Sequence, residues 1–123
     1  MDVKQLLIDC VSGFGFPVFL QGSIADDEAY PDSFFTYWNN ETESLNYYDN
    51  EETQIIWDFD LNFYTNAPET IDSTIAQAKQ QLKDAGFIVG GAGYDVLSDE
   101  PSHTGRGINP IYIERMVSNG QET

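Results

Sequence analysis

The chain has 123 residues, enough for one domain but too few for two independent cores that each bury sufficient apolar surface. It is 41% hydrophobic and 14% aromatic, which excludes the aromatic-poor composition of a disordered chain even though 21 acidic residues against 5 Lys and Arg leave a formal charge of -16. No basic residue stands between Lys4 and Lys79, so a surface built from that segment repels phosphate backbones and anionic headgroups; direct binding to nucleic acid or membrane is not expected.

Val3, Leu6, Leu7, Cys10 and Val11 recur at helical spacing and predict a short amphipathic helix, stopped by Gly13 and Gly15. Cys10 within that stripe reads as a small core side chain rather than a reactive thiol. As the only cysteine it excludes an internal disulfide and a cysteine-cluster metal site, and it fits a reducing compartment. The opening residues lack the basic start and apolar run of a signal peptide, and no stretch approaches a membrane span, so a cytoplasmic setting is expected.

Pro17 to Gln21 reads as a short strand, followed by a loop at Gly22 and Asp26-Asp27-Glu28. The aromatic run Ser33 to Trp38 predicts a strand, the polar segment Asn39 to Ser44 a hairpin turn, and Tyr47 and Tyr48 then fall on the returning strand. Asp49-Asn50-Glu51-Glu52 has turn chemistry. In the strand Thr53 to Tyr64, Ile55, Trp57, Phe59, Leu61 and Phe63 alternate with Gln54, Ile56, Asp58, Asp60 and Asn62, giving one core face and one charged face.

Asn66 as N-cap, Pro68 in the first turn and Glu69 three residues on predict a helix start. Ile71, Ile75, Ala78, Leu82 and Ala85 supply its apolar stripe, Lys79 and Lys83 suit its C-terminal half, and Gly86 ends it. Phe87 to Val89 reads as a strand, Gly90, Gly91 and Gly93 as a turn, and Tyr94 to Leu97 as a resumed strand. Ser98 to Gly107 reads as a loop and Ile108 to Met116 as a last strand, in which Pro110 demands an edge or a bulge. From residue 118 the polar tail should be flexible. The order predicts a single α+β domain over 1–123, with a mainly antiparallel sheet and two helices packed on one face.

Candidate chemistry is sparse. His103 lies near Ser98, Asp99, Ser102 and Thr104, but neighbours on one loop rarely reach the geometry of a hydrolytic triad, and the bland reading is a loop histidine. The acidic runs at Asp26-Asp27-Glu28 with Asp32, and at Asp49, Glu51 and Glu52, lack the spacing of a calcium loop and read as solvated surface. The glycines at 90, 91 and 93 open no helix and so make no phosphate loop. No catalytic residue, metal or cofactor is expected. The aromatics crowd the base-free segment beyond what so small a domain can bury, which makes Phe34, Tyr37, Trp38, Tyr47 and Tyr48 candidates for a protein interface. Arg106, beside Asp95, Asp99 and Glu100, is a candidate for a structural or intersubunit ion pair.

Four segments in order, Pro17-Val-Phe-Leu-Gln-Gly22, Phe34-Phe-Thr-Tyr-Trp-Asn39, Trp57-Asp-Phe-Asp-Leu-Asn-Phe-Tyr64 and the stretch from Gly93 to Gly107, give the chain a pattern that resembles the small tail completion or tail terminator proteins of long-tailed phages and prophages of Gram-positive bacteria. The resemblance covers roughly residues 14 to 115. It implies a structural virion subunit, assembled in the host cytoplasm into a ring, often of six copies, at the head-tail junction. Its partners would be itself, the tail tube and the head connector, with Asp58 and Asp60 facing a channel through which DNA slides. The same charge supports an alternative, an acidic DNA mimic that occupies a basic host protein.

Overall fold

The computed structural model describes residues 2–23, 29–46 and 52–117, and of 43–46, 52–53 and 116–117 the backbone alone. Tyr47, Tyr48, the acidic runs at 26–28 and 49–51 and the tail from 118 lie outside the described residues.

Asp2 starts helix α1 (Val3–Ser12) by accepting from the backbone N–H of Gln5 at 3.1 Å, which satisfies one of the first-turn donors. The apolar stripe then buries Val3, Leu7 and Val11, with Leu6 and Cys10 packed at its rim. Gly15, at φ +83, turns the chain toward the sheet. Strand β1 (Val18–Leu20) pairs parallel with β2 (Ser33–Asn46), Val18 standing opposite Phe35. β2 pairs antiparallel with β3 (Glu52–Thr65).

β2 does not turn at Asn39. The polar segment expected as a hairpin turn continues as strand to Asn46, with a bulge between Asn39 and Glu41. Glu41 stands opposite Asp58 and Thr42 opposite Trp57, so β3 supplies a ladder partner for the backbone of these weak strand formers.

The second helix also begins differently from the expected capping. Asn66 is drawn to Asp32, its side chain donating at 3.1 Å and its N–H to the Asp32 carbonyl at 3.0 Å. The Thr65 hydroxyl takes the N–H of Ala67 at 3.0 Å instead. A 3₁₀ turn over Pro68–Thr70 leads into α2 (Ile71–Asp84), whose stripe of Ile71, Ile75, Ala78 and Leu82 is buried. Gly86, at φ +104, ends it.

Phe87 to Val89 forms no strand: Ile88 makes a single bridge to Ile111, while Phe87 and Val89 are buried. β4 (Tyr94–Val96) follows, and then β5 (Thr104–Ile108) replaces the end of the expected loop. β6 (Ile111–Val117) completes a six-stranded sheet of order β1-β2-β3-β5-β4, with β6 also on β3. Leu61 faces Ile108 and Asp58 faces Ile111, so β5 and β6 share one register along β3 and are a single strand interrupted at Asn109-Pro110. Among the described strands only the β1–β2 contact is parallel. The fold is α+β, as expected.

Both helices cover one face of this sheet. Val3, Leu7 and Val11 of α1 and Ile75, Ala78 and Leu82 of α2 form one cluster with Phe35, Phe59, Leu61, Phe63 and Ile108. Phe35 and Phe63 are a cross-strand pair with ring centroids 4.8 Å apart, and Phe16 packs on Phe63 at 5.6 Å.

Candidate functional site

Because side chains alternate along a strand, placing Phe35, Leu61 and Phe63 under the helices turns Phe34, Thr36 and Trp38 of β2 and Asp58, Asp60, Asn62 and Tyr64 of β3 to the opposite face. Register carries the same face onto Gly105 and Gly107 of β5, Tyr94 and Val96 of β4, and Ile111 and Ile113 of β6. No described element covers the middle of it. Trp38, Tyr94 and Ile113 are 46%, 42% and 41% exposed there.

Two carboxylates stand among these apolar groups. Asp58 Oδ1 accepts from Asn109 Nδ2 at 2.7 Å and Asn40 Nδ2 at 3.4 Å. Asp60 Oδ1 accepts from the Tyr94 hydroxyl at 3.2 Å. The Tyr94 phenol is pushed up to about 12, first by burial and then by the charge of Asp60 and its hydrogen bond, with Asp58 adding to it.

At one end the face is closed by rings. Phe34, 2% exposed, lies against Tyr64, Tyr30, Phe19 and His103 at centroid distances of 5.3, 5.4, 5.9 and 5.9 Å. His103 is fixed on both ring nitrogens, Nδ1 to Ser102 Oγ at 2.9 Å and Nε2 to the Pro31 carbonyl at 2.7 Å. It ties its loop to the segment before β2, and among the described residues no carboxylate bonds it to complete a triad. Beneath the rings, Thr36 Oγ1 and Asn62 Oδ1 are buried without a hydrogen bond. Burial raises the Tyr64 phenol; Asn62 and the nearby Thr36 hydroxyl offset part of that rise, although the Thr36 oxygen makes no bond of good geometry. A cleft of about 280 Å³ opens beside this end between Leu20, Tyr30, Tyr64, Leu97 and Asp99.

The interface residues expected from sequence therefore separate. Trp38, Asp58 and Asp60 come together on the uncovered face. Phe34 shares that face but is buried, so it is a packing residue and not a surface contact. Tyr37 lies on the helix side, packed against the core. Tyr47 and Tyr48 fall outside the described residues. Arg106 also points to the helix side, where it bonds Asp95 at 2.7 Å, the carbonyls of Gly93 and Ala92 at 3.2 and 3.3 Å, and approaches Asp72 to 3.7 Å. Its ion pairs are within the chain. Tyr94 and Ile113 were not among the expected contacts; the alternation of Ile111, Ile113 and Arg115 was the available signal for the second.

Chemically the face offers apolar area around carboxylate acceptors. Among the described residues no group of three His, Cys, Asp or Glu could hold a metal ion, and no helix is long and apolar enough to cross a membrane. No family model matches the chain, and no curated protein matches its sequence.

Proposed function

We propose that the chain is a structural assembly subunit that works by binding proteins and, from its resemblance to tail completion and tail terminator proteins, that it forms part of a ring at the junction of a phage head and tail. The observation that carries this reading is the uncovered sheet face, where exposed Trp38, Tyr94 and Ile113 surround Asp58 and Asp60. Exposed aromatic and aliphatic side chains gathered on one face of a rigid sheet match the apolar part of protein interfaces.

Light scattering of the purified chain, alone and with tail-tube and head-connector proteins, tests the reading. Ring formation, capping of tubes or connector binding is expected. A strict monomer that binds neither would overturn it. An acidic DNA mimic would instead be captured by a basic nucleic-acid-binding protein in a salt-sensitive manner, with no tube or connector binding.

A further inference from the structure

The chain has five cations, and three of them, Lys79, Lys83 and Arg106, line one cleft of about 530 Å³ with Ala76, Ala92 and a single carboxylate, Asp72. Arg106 is engaged by Asp95 and Asp72. Lys79 donates to the Gly91 carbonyl, which holds its ammonium at the rim of the cleft. Lys83 is exposed and makes no ion pair among the described residues. In a molecule of charge -16 this rim is where positive charge gathers, and it lies on the helix layer. Asp58 and Asp60 lie on the other side of the sheet, so the two patches of one copy cannot meet.

We propose that copies of this chain associate head to tail, the Lys79 and Lys83 rim of α2 in one copy meeting the Asp58 and Asp60 face of the next. This rests on the reading of the chain as an assembly subunit, and it names the surfaces. A two-fold contact through either patch would set like charge on like charge. A heterologous contact pairs unlike patches, repeats from copy to copy, and closes into a ring when the rotation allows. The lysine stems and Ala76 offer apolar surface to Trp38 and Ile113, while the ammonium groups reach the carboxylates. Arg115, exposed on β6, is the one cation on the acidic face, opposite Gln54 and away from Asp60.

Salt alone cannot test this, because screening also relieves the repulsion between whole molecules. Charge reversal at a fixed, near-physiological ionic strength can, since a Debye length of about 8 Å mutes the net charge but spares contact pairs. Sedimentation of the full chain is compared for wild type, Lys83→Glu, Asp60→Lys and the double variant. Exposed Glu41→Lys, on the acidic face, is a second acid-side reversal, and Lys4→Glu on α1 is the control. Lys83→Glu is expected to weaken association about tenfold or more, Lys4→Glu not. Asp60→Lys and Glu41→Lys should weaken it too, although they lower the net charge and would otherwise favour association. The double variant should regain it. A wild-type oligomer indifferent to these single reversals, or a double variant without recovery, overturns this contact and leaves the assembly reading standing. A wild type that stays monomeric at every concentration overturns this contact, and the assembly reading falls with it only if the monomer also binds neither tail-tube nor head-connector protein.

Discussion

The side-chain amide of Asn109 donates to the carbonyl of Phe59 at 2.6 Å, in the place of the N–H that Pro110 lacks. The register sets Phe59 opposite Pro110, and the bond from the Phe59 N–H to the Pro110 carbonyl forms at 3.0 Å. The return bond is closed to proline. Asn109, one residue earlier, supplies it from its side chain and reaches Asp58 Oδ1 at 2.7 Å as well.

Asn109→Ala should therefore strand a buried carbonyl and cost about 1–3 kcal/mol in urea unfolding. Adding Pro110→Ala restores a backbone donor at the same place and should recover part of that loss, as a double-mutant cycle would measure. Equal losses with and without the second change would show that the amide does not stand in for the missing N–H.

The Asn109 contact also marks what the sequence could and could not disclose. The helical stripes of α1 and α2 and the alternation of β3 were plain, because each periodicity maps onto a buried face. Thr104 to Gly107 looked like loop because glycines weaken strands in isolation. They are strand because β3 and β4 pair with them on either side, and glycine is required because those partners leave no room for anything larger: a Cβ at Gly105 would lie 2.6 Å from the Tyr64 ring, and one at Gly107 2.3 Å from Asn62 Oδ1. Asn39 to Ser44 looked like a turn for a related reason, since their strand character comes from β3 across the sheet and not from their own propensities. The site divided in the same way. Strand parity put Asp58 and Asp60 on the outer face, but the burial of Phe34 depends on Tyr30 and His103, which are remote in sequence. The cationic rim joins Lys79 and Lys83 to Arg106 only through the packing of α2 beside β5.

Gly105→Ala should destabilise the protein by about 1–3 kcal/mol, because the new methyl meets both the Tyr64 ring and, at 2.7 Å, the Val96 side chain. Gly13 offers the contrast: it has φ -66, an ordinary helical value, and a Cβ there meets nothing within 4 Å. Gly13→Ala should be stabilising by about 0.4–1 kcal/mol through the lost entropy of the unfolded chain. Urea midpoints of the two variants should thus move in opposite directions, and a tolerated Gly105→Ala would mean that Tyr64 is free to shift.

Arg106 joins β5 to β4 and to the turn before it. Its acidic partners Asp72 and Asp95 have side chains 87% and 92% exposed, so the ion pairs themselves add little. The carbonyls of Gly93 and Ala92 and the half-buried stem matter more. Arg106→Lys keeps the charge but loses the fork that spans these groups, and it should weaken hydrogen-exchange protection from residue 92 to 96 with a global loss of about 1 kcal/mol or less. The double change Asp72→Asn with Asp95→Asn should leave that protection nearly intact. Loss of protection in the acid variants equal to that in Arg106→Lys would give the ion pairs the larger part.

The Tyr94 phenol, held up to about 12 against an ordinary 10.0, makes stability fall in a defined alkaline window. The folded state keeps the proton that the unfolded chain releases near pH 10, so the contribution is whole below that pH and is lost as pH rises toward 12. Burial is the largest cause, and the Asp60 carboxylate follows. Tyr94→Phe should therefore flatten the alkaline decline relative to wild type, a comparison in which the titration of the lysines cancels. Asp60→Asn should shift the tyrosinate absorbance of Tyr94, read as wild type minus Tyr94→Phe in each background, to lower pH, because the neutral amide removes the charge and leaves the burial. Stability profiles of wild type and Tyr94→Phe that run parallel through this window would mean that the phenol is not held in its protonated form by the fold.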